Sequence, residues 1–140
     1  MKVMICGSMT FANEMLATKN RLEELGHQVK IPSDTQQIVD GLHDHDDLEG
    51  DYRHCIKNNI MKKHFKFVEE NDSILVLNHA KNGLNGYIGA ASLMEIGLAY
   101  HLGKKIFLLN EIPDPKEARW AHEVKIMQPM ILKGDLEMVK

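Results

Sequence analysis

The sequence predicts an α/β fold, a three-layer sandwich with one five-stranded parallel sheet between helices. Two observations carry this. Short apolar runs alternate with stretches of helical period along nearly the whole chain. Those runs are continuously apolar rather than alternating, as expected of strands buried on both faces. Right-handed crossovers then favour the flavodoxin-like, Rossmann-like strand order 2-1-3-4-5.

Taken in order, "KVMIC" (2–6) is a strand ended by Gly7-Ser8. Thr10 to Leu25 follows as an amphipathic helix, with Phe11, Met15, Leu22 and Leu25 apolar and Gly26 as its stop signal. "HQVKIP" (27–32) is a shorter strand ended by proline. Residues 33–50, "SDTQQIVDGLHDHDDLEG", are polar and acidic and lack periodicity, so they are expected to form a flexible loop or lid. Tyr52 to Glu70 is helical, with Ile56, Ile60, His64, Phe67 and Val68 on one side. "DSILVLN" (72–78) is the clearest buried strand. A glycine-rich loop leads into an apolar helix that ends at Gly103, and "KKIFLLN" (104–110) is the fourth strand. "DPKEARWAHEVK" (114–125) reads as a short helix with proline near its start, and "QPMILKGDL" as a weak last strand.

At 140 residues the chain suits a single domain, 1–140, large enough for a core without staples. It carries 17 Lys and Arg against 20 Asp and Glu, for a net charge of −3. The basic residues are scattered, which argues against a nucleic-acid partner. No apolar run reaches the ~20 residues of a membrane span, so no membrane partner is expected. The apolar run in "MKVMICGS" is too short for a signal peptide. Two cysteines in such settings make no disulfide framework, and a cytoplasmic location is expected.

In such a sheet the ligand crevice lies beyond the carboxyl ends of the strands, where the strand order reverses. Here that place falls between strands one and three. Cys6, Gly7, Ser8 and Met9 form the tip of strand one, Asn78 and His79 the tip of strand three. Next come Asn82 in a glycine-rich loop, then Gly89 and Ser92 at a helix start, where backbone N–H groups favour an anion. Neither a dinucleotide fingerprint nor a Walker A pattern is present. Two readings of Glu95 stay open. Ser92-Leu93-Met94-Glu95 has the spacing of a capping box. Alternatively Glu95, set among Leu93, Met94, Ile96 and Leu98, is a partly desolvated carboxylate that attacks an electrophilic carbon.

These residues resemble the nucleoside 2-deoxyribosyltransferase superfamily, including its branch of 2'-deoxynucleoside 5'-monophosphate N-glycosidases. The likeness rests on Cys6-Gly7-Ser8 after strand one, Asp72 opening strand three, the segment Glu95-Ile96-Gly97-Leu98-Ala99, and Lys104 or Lys105 before strand four. It implies a small α/β protein, usually a homodimer or larger, that needs no cofactor or metal. It implies further that Glu95 is a nucleophile toward C1' of a 2-deoxyribose and displaces the base. Gly7 and Ser8 would line the sugar or phosphate site, and Gly89 and Ser92 would face a 5'-phosphate. Where the family carries a catalytic Asp about two turns ahead of the third strand, this chain has His64. His64 is therefore a candidate acid/base or orienting group, and equally a core-facing histidine with a satisfied hydrogen bond.

The remaining candidates are weaker. "HDHDD" (43–47) contains metal-ligand types, but i,i+2 spacing in an acidic loop fits a solvated segment, and no metal is expected. His43 or His45 could instead enter the crevice from the lid. His79, Lys81 and Asn82 could contact a base or phosphate, and ordinary loop polarity explains them equally well. Cys6 is a buried strand residue rather than a nucleophile. The expected function is cleavage or exchange of the N-glycosidic bond of a 2'-deoxynucleoside or its 5'-monophosphate. The alternative is a nucleotide-binding module of the same fold without catalysis.

Overall fold

The computed structural model describes residues 1–140. Its sheet contains β1 (Lys2–Cys6), β2 (Gln28–Lys30), β3 (Ser73–Val76), β4 (Lys105–Leu108) and β5 (Met130–Ile131). Every pairing is parallel and the order is β2-β1-β3-β4-β5, as expected. The strands alternate their side chains between two apolar cores. Met4, Cys6, Ile74, Val76, Ile106 and Leu108 point one way, into a cluster with Val68, Ile96, Ala99 and Val124. Val3, Ile5, Leu75, Leu77, Phe107 and Leu109 point the other way, toward Met15 and Leu22. This double burial is why the strands read as unbroken apolar runs.

Six α-helices surround the sheet: α1 (Ala12–Glu24), α2 (Thr35–Val39), α3 (Leu48–Lys57), α4 (Ile60–Glu70), α5 (Ala90–His101) and α6 (Trp120–Ile126). Val68 of α4, Ile96 and Ala99 of α5 and Val124 of α6 pack on one face, Met15 and Leu22 of α1 on the other. None of the helices is long and apolar enough to cross a membrane.

Three expectations are corrected. Residues 33–50 are not one loop: they hold α2, and α3 begins at Leu48. The helix expected over 52–70 is two helices. Asn59 has φ +52°, a left-handed conformation that asparagine tolerates, and it separates α3 from α4. The helix expected from 114 starts at Trp120. Asp114 instead builds a turn, accepting from the Lys116 N–H at 2.8 Å through its side chain and from the Glu117 and Ala118 N–H groups through its carbonyl.

Candidate active site

At the carboxyl end of β1, between α5, α4 and the segment that follows β2, lies a cavity of about 260 Å³. Gly7 and Met9 from the β1 tip, Ala91 and Glu95 from α5, and His64 and Phe65 from α4 contribute to its wall. The segment between β2 and α4 supplies Pro32, Asp34, His45, Asp51 and Cys55. A larger hollow of about 430 Å³ opens at the amino end of β4, between Tyr100, Lys105 and Met130, and contains no buried titratable group.

Glu95 dominates the cavity. It is 7% exposed, and no cation pairs with it. Burial pushes its carboxyl up to about 7, opposed only weakly by the neighbouring Cys6 thiol, which favours the carboxylate. The same burial and the Glu95 charge push the Cys6 thiol well above its usual range, so Cys6 stays protonated. The capping-box reading of Glu95 fails. The N-cap of α5 is Gly89, so Ser92 is the third helical residue and Glu95 lies in the second turn. A reciprocal box needs the Ser at the N-cap itself.

His64 faces the same cavity from α4. Its Nε2 accepts the Ser33 N–H at 3.2 Å, with the Ser33 hydroxyl at 3.2 Å. A neutral ring that accepts at Nε2 carries its proton on Nδ1. Burial lowers the His64 pKa, opposed by the charge of Asp34 and aided by Lys63, so the ring is neutral at pH 7.

The other expected residues divide. Ser8 caps the short 3₁₀ turn Met9–Phe11, accepting the Thr10 N–H at 3.3 Å, and it also accepts from Lys81 Nζ at 2.9 Å. Lys81 thereby brings a cation to the β1 tip. Asn78 is buried, but its amide is used by the fold: Nδ2 donates to the Asn110 carbonyl and Oδ1 accepts the Asn110 N–H, both at 2.8 Å. His79 packs edge-on against Phe11 and lies outside the cavity wall. Asn82 is exposed. With φ +53° beside Gly83 at +76°, it forms the tight turn of a small hairpin closed by Lys81 and Leu84. Ser92 is buried, and neither it nor Gly89 belongs to the cavity wall.

Sequence reading missed Asp34, Asp51 and Cys55, which lie in the wall, and His54, which contacts Asp34. Their segment shows no period, and nothing in it indicates that β2 delivers Asp34 to the β1 tip. His45, expected as a lid residue, does reach the cavity, and its Nε2 is 3.3 Å from the Thr10 hydroxyl.

No family model matches the sequence, and no curated protein matches it. Among solved structures the chain is similar to a CMP N-glycosidase, BcmB, from Clostridium botulinum. The TM-score is 0.46 and the identity 19%, over 94% of this chain and 85% of that one. A likeness at that level leaves the chemistry to be argued from the residues.

Proposed function

We propose that the chain cleaves or exchanges the N-glycosidic bond of a 2'-deoxynucleoside or its 5'-monophosphate. The observation that carries this is Glu95, a carboxylate without a cationic partner in the wall of the crevice. A carboxylate held only for stability would be paired or solvated. One Glu95 oxygen attacks C1', the C1'–N bond breaks, and the base leaves with the bonding electrons and acquires a proton. Water, or a second base, then attacks C1' and releases Glu95 as a carboxylate, with net retention. The neutral His64 ring supplies an acid/base group in this scheme. Lys81 and Ser8 suit an anionic end of the substrate, and the N-terminus of α5, exposed to the cavity at Ala91, adds a favourable dipole. The same reading carries a homodimer packed through the outer side of α5, supported by the exposure of Met94 and Tyr100 on that helix.

The test is chromatographic. Deoxynucleosides and their 5'-monophosphates are incubated with the wild type and with Glu95→Gln, with and without an acceptor base. Free or exchanged base is expected from the wild type, with a loss of at least about 10³-fold in the variant, the scale of losing a nucleophile. The second reading, a binding module, is favoured by one observation. His64 Nε2 is committed to Ser33 rather than free for substrate. Tight calorimetric binding of a nucleotide without base release by the wild type would select it.

A further inference from the structure

Beside the cavity, three side chains that the glycosidic chemistry does not use converge from separate parts of the chain. Asp34 follows β2, His43 lies between α2 and α3, and His54 is on α3. Each offers one ligand atom, and these atoms all lie within 4.8 Å of one another. We propose that Asp34, His43 and His54 form a binding site for a divalent first-row transition ion of the zinc class, next to the Glu95 cavity.

The cluster contains polar atoms that the fold does not satisfy. Asp34 is 5% exposed, and its Oδ1 is buried without a hydrogen-bond partner. His54 Nε2 is likewise buried and unpartnered. Asp34 occupies the N-cap of α2, where an aspartate ordinarily accepts from the first-turn N–H groups, yet its side chain makes no such bond. The carboxylate therefore gives up the local partner its position offers. A simple ion pair does not account for this. His54 Nε2 and Asp34 Oδ2 are 4.0 Å apart, too far for a hydrogen bond, and Oδ1 would remain orphaned. A cation among the three groups would satisfy both.

The surroundings suit ligation as well. Asp51 Oδ1 lies 2.8 Å from His43 Nε2 and orients that ring. His54 Nε2 faces Asp34 Oδ2 at 4.0 Å; ligation through it puts the ring proton on Nδ1, so the Asn58 amide, whose Nδ2 lies 3.2 Å from Nδ1, has to turn its oxygen to that nitrogen. A carboxylate that accepts the other ring N–H of a histidine, as Asp51 does for His43, is the usual outer support of a metal site. The rings stack with centroids 4.1 Å apart. Ligand atoms at about 2.0–2.2 Å from a tetrahedral ion sit about 3.4 Å apart, so each side chain has to move by roughly 0.8 Å at most. Two imidazoles and one carboxylate suit zinc-class ions rather than magnesium or calcium, which take oxygen ligands. Asp34 lines the cavity, so a fourth position opens toward whatever Glu95 faces. The neighbouring trio Asp44-His45-Asp46, whose two aspartates are exposed, lacks such burial and serves as a control. The site stands whether or not base release occurs.

The experiment is a cobalt titration of chelator-stripped full-length protein, followed by its visible d–d absorption, with zinc competition by calorimetry. One equivalent should bind. Asp34→Asn and His54→Gln should each weaken binding by more than about 100-fold, and Asp51→Asn, one shell out, by about 10–100-fold. The double change Asp44→Asn and Asp46→Asn should leave the affinity unaltered. Absence of saturable one-to-one binding overturns the proposal, as does affinity that follows Asp44 and Asp46 rather than Asp34. Thermal melts guard against misfolding. Zinc should raise the melting temperature of the wild type but not of a cooperatively folded His54→Gln protein, and an equal rise in both overturns the site.

Discussion

At the scale of single residues, the titration of Glu95 yields two tests. If its carboxylate is the nucleophile, activity requires the deprotonated form. With the carboxyl pushed up to about 7 by burial, kcat/KM should rise tenfold per pH unit below that value and level off above it. A flat profile from pH 5 to 8 would remove Glu95 from the reaction. Stability should move the opposite way. Burial raises the pKa of the folded state from 4.5 to about 7, so between those values the native state binds more protons than the unfolded one, and stability falls as pH rises. The penalty is absent below pH 4.5 and saturates above pH 7 at about 3 kcal/mol. Glu95→Gln should therefore stabilise the fold at pH 8 and leave it unchanged at pH 4, as read from denaturant melts. A carboxylate that contributes to the fold would show the reverse sign at pH 8. The sequence exposed Glu95 as an isolated acid among apolar residues. It could not exclude the capping box, because a segment apolar on every side carries no period to mark where its helix begins.

At the scale of elements, the glycine-rich loop from Lys81 to Gly89 leads into α5, which carries Glu95. The loop's glycines are not equivalent. Gly86 has φ +73°, and a Cβ there would collide with the Glu111 carbonyl oxygen and press on the Pro113 ring. Gly83 has φ +76° but open space beside it. Gly83→Ala should cost only the left-handed conformation, about 1–2 kcal/mol. Gly86→Ala should cost more than that by a further ~1–3 kcal/mol of overpacking, and should depress activity by displacing α5. Equal losses in the two variants would mean that the Glu111 backbone yields freely. This loop was partly legible, since Asn82-Gly83 is a turn signal, but that same chemistry explains Asn82 without any ligand. The region from 33 to 59 was the least legible. α2 has five residues, and α3 has no buried residue to impose a period on the sequence. Its break from α4 depends on a left-handed Asn59, which the run Asn58-Asn59 permits but does not require.

At the scale of the whole molecule, the topology was readable because each central strand is sealed on both faces and each crossover has one allowed hand. That order placed a crevice between the tips of β1 and β3, and the cavity has the β1 tip but not the β3 tip in its wall. The rest of the wall was not legible, because Asp34, Asp51 and Cys55 reach it through tertiary packing rather than by pattern. One feature of α5 concerns more than the single chain. A helix apolar on all sides is normally buried all round, yet Met94 is 49% and Tyr100 55% exposed. Between them, at spacings that keep all three on one side of the helix, Gly97 has open space where a Cβ would be. Within one chain Gly97→Ala removes a helix-interior glycine and should stabilise the fold by about 0.5–1 kcal/mol. If a second copy packs against this side, the added methyl and a Met94→Glu charge should both weaken association while the melt of the monomer stays intact. Sedimentation velocity at tens of micromolar decides between these. A dimer of the 16.0 kDa chain that Met94→Glu dissociates places the interface on α5. A wild type that sediments as a monomer leaves the cavity complete within one chain and rejects the homodimer.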